Sequence, residues 1–352
     1  MKPFIIPIFI PNHGCPNQCI YCDQNITAGQ PSLPTSSEIS HTIQKHLDSS
    51  PPLLKSCRHV QVAFYGGTFT GLPYVTQKKY LAGIKPFLKN KKVHSLRLST
   101  RPDYIDQENL DLLKSLSVKT IELGAQSMND EELRLSKREY TAQKVVESSV
   151  LIKKNNLELG IQLMPGLPGY TENSIMETSY KTCAIQPDFL RIYPAIVIKN
   201  TLLEQYYLRG DYEPLFLNQA VRLCKKMLIL FQSYNIPVIR LGLQPTETLL
   251  SPGSIVAGPF HSAFHQLVVS SICYDSLHEF LSGNNNIKPP LVNFLVHPSE
   301  LSNFIGHKKE NINKLKKTFK NLTIRFSPDK LTPKGSFRIH NNVFPMIRAI
   351  SN

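Results

Sequence analysis

Short apolar runs alternate with segments of helical periodicity over the first two thirds of the chain. The apolar runs are rich in β-branched residues and leucine, as in HVQVAFY and KTIEL, which is typical of buried strands. This alternation predicts parallel strands joined by crossover helices. The predicted strands lie near residues 4–10, 59–65, 94–99, 118–123, 158–164, 188–193 and 236–241. The predicted helices lie at residues 36–49, 75–90, 106–117, 142–156 and 218–234.

The number of these strand–helix units predicts an α/β fold, a full or partial (β/α) barrel over residues 1–255. No Gly-x-Gly-x-x-Gly motif follows the first predicted strand, which disfavours a dinucleotide-binding fold. In β/α barrels the reactive groups lie in the loops after the C-terminal ends of the strands. Polar or glycine-rich motifs follow the first five predicted strands, and they indicate one shared rim: Cys15, Cys19 and Cys22; Gly66-Gly67-Thr68; Ser99-Thr100-Arg101; Gly124-Ala125-Gln126; and Gly166-Leu167-Pro168-Gly169.

The pattern changes near residue 255, where the Pro-, Gly- and Ser-rich stretch SPGSIVAGPFHSAF predicts a hinge. A small α+β domain is expected over residues 256–352. Within it, residues 288–327 predict a strand, a short helix, a turn, a second helix and a strand.

Composition and charge narrow the class of protein. Hydrophobic residues make up 41% and charged residues 19% of the 352 residues, as in a globular protein. The net charge of +14 indicates a polyanionic partner, although a merely basic enzyme is the alternative. The odd number of cysteines, seven, predicts a reducing compartment, the cytoplasm. No apolar stretch reaches the roughly 18 residues of a membrane span, so no membrane partner is expected.

Three cysteines, Cys15, Cys19 and Cys22, stand at C-x3-C-x2-C spacing in GCPNQCIYCDQ. Three thiolates lack the fourth ligand of a structural zinc site, unless His13 completes it. Disulfide pairing would leave one thiol over. The remaining interpretation is a [4Fe–4S] cluster that is bound by three cysteines and keeps one iron open to another ligand.

The spacing, with Tyr21 just before the third cysteine, resembles the radical S-adenosylmethionine superfamily. The resemblance implies that Cys15, Cys19 and Cys22 are the metal ligands and the catalytic residues. It implies that S-adenosylmethionine binds the open iron and is cleaved to a 5′-deoxyadenosyl radical. It also implies a one-electron donor such as flavodoxin or ferredoxin.

Further rim motifs resemble the cofactor-binding segments of that superfamily, namely FYGGTFTG, LGAQSMNDEELRLSKR and GIQLMPGLPG. In this resemblance Gln126 would contact the ribose, and Arg138 would pair with the cofactor carboxylate through its planar fork. The glycine motif would receive the methionine amino group. The cofactor-binding residues implied in this way are Tyr21, Gly66, Gly67, Thr68, Gln126, Arg138, Gln162, Met164 and Gly166.

Residues 5–260 further resemble the radical domain of the Elongator catalytic subunit family, which modifies the wobble uridine of transfer RNA. The similarity is strongest in DFLRIYPAIVIKNTLLEQYYLRGDYEP. It implies a transfer RNA substrate and places Arg191, Tyr193 and Lys199 on the substrate side. Three departures are visible. The gap between the first two cluster cysteines is longer in that family, Ser99 replaces the glutamate of the Glu-Thr-Arg-Pro-Asp motif, and no segment that resembles the acetyl-coenzyme A-binding loop follows the barrel.

The segment NFIGHKKENINKL resembles the Ile-Gly-x-x-Gly-x-x-Ile core of KH RNA-binding domains, whose tight loop clamps a single strand. Gly306 matches the first glycine, and Lys309 replaces the second. Ile312 and Leu315 are expected on the buried face of the second helix. The residues that would contact RNA are Gly306, His307, Lys308 and Lys309.

These features predict a radical S-adenosylmethionine enzyme that modifies RNA, in particular transfer RNA. One alternative is a radical enzyme for a small molecule such as a porphyrinogen, because coproporphyrinogen oxidases share the C-x3-C-x2-C spacing. Another is an RNA-binding protein whose cluster serves as a sensor.

Overall fold

The structure is a computed structural model that describes residues 3–10, 14–15, 18–23, 33–50, 59–283, 291–320 and 322–346. Its main sheet has seven parallel strands in the order β1-β2-β3-β4-β5-β6-β8. These are β1 (Phe4–Ile10), β2 (Val60–Gly66), β3 (Ser95–Thr100), β4 (Val118–Gln126), β5 (Glu158–Leu163), β6 (Phe189–Ile192) and β8 (Val238–Leu241). Strands β7 (Val197–Ile198) and β9 (Ile255–Ala257) form a separate antiparallel pair.

All seven strands predicted from the sequence are present, and they curl into a half-barrel whose edges are β1 and β8. The predicted α/β barrel is therefore confirmed in its partial form. The helices of this part are α1 (Ser36–Ser49), α2 (Tyr74–Lys89), α3 (Gln107–Ser115), α4 (Asp130–Leu135), α5 (Ala142–Lys154), α6 (Glu172–Ile185), α7 (Leu202–Arg209), α8 (Leu217–Ser233) and α9 (Glu247–Leu250).

Helix α6 was not predicted, because its buried face is largely polar. Ser174, Thr178, Ser179 and Thr182 are buried there. Two of these hydroxyls donate to backbone carbonyls one turn earlier, Ser179 to Ile175 at 2.9 Å and Thr182 to Thr178 at 2.7 Å. These bonds satisfy the hydroxyls locally, so small polar side chains pack against the sheet without unpaired donors.

The C-terminal part has a four-stranded sheet in the order β11-β10-β12-β13. Strands β10 and β11 are parallel, and the other neighbours are antiparallel. Its elements are α10 (Phe264–Gly283), β10 (Leu291–Val296), α11 (Leu301–Ile305), α12 (Glu310–Thr318), β11 (Thr323–Pro328), β12 (Ser336–Ile339) and β13 (Asn342–Pro345). The predicted strand–helix–turn–helix–strand order is present, with two further strands.

Helix α10 connects the two hydrophobic cores. Phe264, Val268 and Ile272 belong to the core of the half-barrel. Cys273 and Leu277 belong to the core of the C-terminal sheet. The helix therefore follows the expected hinge directly and holds the two parts together through buried contacts.

In α12, Leu315 is buried as expected, whereas Ile312 is only half-buried and Asn311 takes the buried position. Asn311 is accepted there because its side-chain amide donates to carbonyls of neighbouring helices. Within the described ranges, no helix has the length and hydropathy that crossing a membrane requires.

Candidate active site

A cavity of about 930 Å³ opens at the C-terminal ends of the main-sheet strands. Most residues that the sequence singled out lie in its wall, although they are spread over five strands and the loops that follow them. These are Cys15, Cys19, Tyr21, Cys22, Gly66, Gly67, Thr68, Gln126, Arg138, Gln162, Met164, Arg191 and Tyr193. The expectation of one shared rim is therefore met by the positions of these residues.

The three cysteines lie on one side of this cavity. The Cys15 thiol is 3.2 Å from the Thr68 hydroxyl, and the Cys19 sulfur accepts a hydrogen bond from Arg138 Nη1 at 3.1 Å. Among the described residues, no three Cys, His, Asp or Glu side chains converge on a single-ion site. In a [4Fe–4S] cluster each thiolate binds a different iron. His13, the alternative zinc ligand, lies outside the described residues.

Arg138 is buried and uses all three guanidinium nitrogens. Besides the Cys19 sulfur, it donates to the Tyr140 hydroxyl at 2.8 Å and to the Gly124 carbonyl at 2.5 Å. Burial alone would lower the pKa of Arg138, but nearby Tyr140, Tyr21 and Cys19 raise it, so the side chain stays charged. Burial raises the pKa of Tyr140 to about 12, which keeps its phenol protonated. A fixed cation therefore faces the sulfur of Cys19.

A second arginine, Arg101, lies in the same wall and was not assigned a role from the sequence. Its Nε and Nη2 donate to the two carboxylate oxygens of Asp103 at 2.9 and 2.7 Å. Its Nη1 is buried and has no hydrogen-bond partner among the described residues. The buried hydroxyl of Tyr21 also has no hydrogen-bond partner among the described residues. An unmet buried donor costs free energy, so both groups suit a polar ligand in the cavity.

Two glutamines meet across neighbouring strands. Gln162 Nε2 donates to Gln126 Oε1 at 3.1 Å. Gln126 has a left-handed backbone with φ 68°, an uncommon conformation for a non-glycine residue that is found at functional sites. A Cβ atom on Gly124 would lie 2.9 Å from Gln126 Nε2, so glycine there leaves room for this amide.

An ionic network that the sequence analysis missed lies deeper in the barrel, around Glu122 of β4. Glu122 Oε1 accepts from Arg97 Nη1 at 2.8 Å, and Glu122 Oε2 lies 2.7 Å from Arg191 Nε. The Tyr65 hydroxyl also donates to Glu122, at 3.2 Å, and Arg191 donates to the hydroxyl of Tyr193 at 3.1 Å. The network fixes Arg191 and Tyr193 against the cavity. In the sequence, the network is visible only as polar residues at alternate positions of otherwise apolar strands.

Six predicted site residues lie outside the cavity wall, namely Gly166, Lys199 and the four residues of the loop 306–309. Gly166 is buried beneath Leu215, and its carbonyl accepts from the Tyr212 hydroxyl at 2.6 Å. Lys199 is exposed, and its backbone N–H donates to the Ser254 carbonyl at 3.0 Å. The loop of residues 306–309 joins α11 to α12.

The loop of residues 306–309 has a backbone conformation that favours glycine at several positions. Gly306 has φ 84°, and a Cβ atom there would lie 2.7 Å from the backbone nitrogen of Asn311. Lys308 and Lys309 have φ 48° and 64°, in the left-handed region that favours glycine. Lys309 therefore adopts the left-handed conformation at the position where the KH pattern has its second glycine.

Comparison with known proteins agrees with this geometry. The profile of the Radical SAM superfamily matches residues 9–179, and that of the Radical SAM C-terminal domain matches residues 187–273. An uncharacterized protein of Methanocaldococcus jannaschii is 30% identical over 236 residues, which are 63% of this chain and 70% of that protein. The chain belongs to the radical SAM superfamily. This radical SAM enzyme therefore belongs to a family that uses a [4Fe–4S] cluster and S-adenosylmethionine, as the cysteine spacing predicted.

Two further relatives carry names that state a function. The Elongator complex protein 3 of Saccharomyces cerevisiae is 24% identical over 64% of this chain and 48% of its own length. The tRNA uridine(34) acetyltransferase of Dehalococcoides mccartyi is 24% identical over 57% of this chain and 50% of its own length. The radical SAM enzyme described here thus matches about half of each of these two proteins.

The fold has a counterpart among solved structures. The archaeal Methanocaldococcus infernus Elp3 with an N-terminal deletion superposes with a TM-score of 0.60 at 20% identity. The match covers 76% of this chain and 62% of that chain. It shows that the radical SAM enzyme shares the fold of that protein.

Proposed function

We propose that this radical SAM enzyme holds its cluster through Cys15, Cys19 and Cys22, binds S-adenosylmethionine in the same cavity, and modifies RNA, in particular transfer RNA. The observation that supports this most is a single cavity that joins the cysteines to Arg191 and Tyr193. When bound, the two groups supply a 5′-deoxyadenosyl radical. The chain supplies the ligands, the polar contacts and a wall that limits access of water.

The unpaired donors of the cavity suit the polar groups of the cofactor. Arg101 Nη1 and the Tyr21 hydroxyl are both buried donors without a partner among the described residues. Gln126 and Gln162 present a joined pair of amides for the ribose. We assign the carboxylate to Arg138, as the family resemblance implies, together with Arg101. Arg138 also places a positive charge beside the Cys19 sulfur.

Replacing Arg101 with alanine should weaken S-adenosylmethionine binding without changing the iron content. A hydrogen bond to a charged group contributes about 1.5–3 kcal/mol, so Kd should rise roughly 10- to 100-fold. Equilibrium dialysis with the anaerobically reconstituted protein measures this directly. Arg138→Ala should also raise the Kd for S-adenosylmethionine. Its relative effect on the iron content should be smaller.

Arg134→Ala is the matched control, because Arg134 is exposed on nearby α4 and pairs only with Glu131 among the residues described. If Arg101→Ala binds the cofactor as Arg134→Ala does, Arg101 is not a cofactor contact. Normal cofactor binding by Arg138→Ala would remove the assignment of that residue in the same way.

Three observations support an RNA substrate. Two relatives are named for transfer RNA uridine modification or for the Elongator complex. The chain carries a net charge of +14, which suits a polyanion. Lys308 and Lys309 are exposed on the loop between α11 and α12, and Lys199 is exposed beside β7. A small-molecule substrate such as a porphyrinogen would leave these exposed cations without a role.

We further propose a division of labour along the chain. Residues 1–255 form the radical domain. Residues 256–352 form a C-terminal domain whose KH-like unit, at about 288–327, holds RNA through Gly306, His307, Lys308 and Lys309. A one-electron donor such as flavodoxin or ferredoxin reduces the cluster. The six cysteines of the described residues form no disulfide bond with one another, which suits the reducing conditions of the cytoplasm.

Replacing Lys308 and Lys309 together with glutamate should weaken RNA binding and flatten its dependence on salt. Each phosphate contact that is lost should reduce the logarithmic salt slope by about 0.7 for a single strand. Fluorescence anisotropy with a labelled transfer RNA at several salt concentrations measures both quantities. Iron content and cofactor cleavage without RNA should stay unchanged, because the loop lies outside the cavity wall.

The matched control is the double variant Lys91→Glu, Lys92→Glu. Lys91 also has a left-handed backbone, φ 60°, and both lysines are exposed in the turn before β3, at the opposite end of the strands from the cavity. The net charge changes equally in the two double variants, so a local clamp predicts a larger loss for the Lys308, Lys309 variant. Equal affinity and equal salt slope in the two variants would contradict the clamp.

A further inference from the structure

The loop of residues 306–309 contacts the segment just before α10 through a pair of histidines. The rings of His261 and His307 meet edge to face, with centroids 5.3 Å apart. His261 Nδ1 accepts the backbone N–H of Ala263 at 3.0 Å, which fixes the ring. Burial lowers the pKa of His261, and the neighbouring His307 and Lys308 lower it further. The half-buried His261 ring is therefore neutral near pH 7, with its proton on Nε2.

The residue before it, Phe260, leads from this histidine pair to the cavity. Phe260 is half-buried and packs on a small apolar cluster that contains Ile196, Ile198 and Leu249. Those three residues line the cavity. The loop, the two histidines, Phe260 and this wall of the cavity are thus linked by successive contacts, and we call them together the strip.

The strip is held in place by hydrogen bonds as well as by packing. Asn311 is 4% exposed, and its Nδ2 lies 2.9 Å from the Ser270 carbonyl and 3.2 Å from the Phe304 carbonyl. These contacts connect α12 to α10 and α11. At the other end, Val197 and Ile198 of β7 pair with Ala257 and Ile255 of β9. The loop therefore keeps a defined position relative to the cavity.

We propose that one single-stranded RNA segment runs along this strip, from the loop of residues 306–309 over His261 and Phe260 into the cavity. The exposed lysines of the loop suit phosphates, and the half-buried rings suit bases, which stack on aromatic faces without regard to sequence. His261 is then an RNA contact between the clamp and the active site. This inference rests on the proposed RNA function.

The test compares single-stranded RNA binding by His261→Ala with that of a matched histidine variant. His297 is also half-buried, and its Nδ1 likewise accepts a backbone N–H two residues on, from Ser299 at 3.2 Å. With anaerobically reconstituted full-length protein and a fluorescein-labelled oligouridylate, His261→Ala should raise Kd about tenfold, whereas His297→Ala should not. The salt slope should stay that of the parent, because a neutral ring neutralises no phosphate and releases no counterion.

A second variant separates stacking from a loss of local structure. His261→Phe retains an aromatic face and should recover most of the affinity, with iron content equal to that of the parent. If His261→Ala and His297→Ala bind the RNA equally well, the strip is overturned. The strip is also overturned if His261→Phe binds as weakly as His261→Ala. If the Lys308, Lys309 variant weakens binding while His261→Ala does not, the strip fails and the proposed RNA function stands. If neither variant weakens binding, the strip and the clamp of residues 306–309 both fail, and a parent protein that binds no RNA would overturn the proposed RNA function itself.

Discussion

Replacing Cys19 with alanine is expected to abolish the iron cluster and, with it, the cleavage of S-adenosylmethionine. A [4Fe–4S] cluster usually has four cysteine ligands, and here it would have three. Cys19→Ala would leave only two protein ligands. The anaerobically reconstituted parent should bind about four irons per chain, and the variant close to none. Iron analysis and the electron paramagnetic resonance of the reduced protein measure cluster content. Formation of 5′-deoxyadenosine with a strong reductant measures cleavage.

The control is the same substitution at a cysteine outside the cavity. Cys183 is 1% exposed in α6, and burial raises the pKa of its thiol to about 11, so it is a neutral core side chain. Cys183→Ala should retain the irons and the cleavage activity. Iron content near that of the parent in Cys19→Ala, or zinc in place of iron in the parent, would contradict the assignment.

The strands and the cysteine motif could be predicted because their signals are local. The strand of residues 60–66 is buried over most of its length, so its sequence is a short apolar run. Cys15, Cys19 and Cys22 lie within eight residues of one another, so their spacing is visible without a fold. The curvature that leaves β1 and β8 as edges is set by contacts between distant strands, and the sequence pattern allowed a full barrel equally well.

The partners of the buried charges could not be predicted, because they come from distant positions. Arg138 and Cys19 are 119 residues apart in the chain, and Arg191 and Glu122 are 69 apart. Family resemblance gave Arg138 a role toward a ligand, but only the fold shows that its guanidinium faces a cysteine sulfur. Arg101 was part of a recognised motif, yet its unpaired Nη1 becomes apparent only once Asp103 is seen to occupy the other two nitrogens.

The ionic network in the barrel makes Glu122 a site of large expected effect on stability. Its carboxylate is 4% exposed and lies between the guanidinium groups of Arg97 and Arg191, each within 3 Å. Glu122→Ala would leave both cations without this anion in a region of low dielectric constant. Removing one partner of a buried ion pair typically costs about 3–5 kcal/mol, so the free energy of unfolding should fall by that amount. Urea denaturation of the cluster-free protein, followed by circular dichroism, measures the change.

A comparison of two glutamate variants distinguishes burial of the ion pair from loss of a charge as such. Glu131 forms the same kind of pair with Arg134, but both side chains are more than half exposed. Glu131→Ala should therefore leave the urea midpoint almost unchanged, since solvent screens exposed pairs. Glu122→Gln, which keeps the shape and one acceptor oxygen, should lie between Glu122→Ala and the parent. If Glu122→Ala unfolds at the same urea concentration as Glu131→Ala, the network does not stabilise the barrel. Arg191 and Tyr193 would then need another explanation for their fixed positions in the cavity wall.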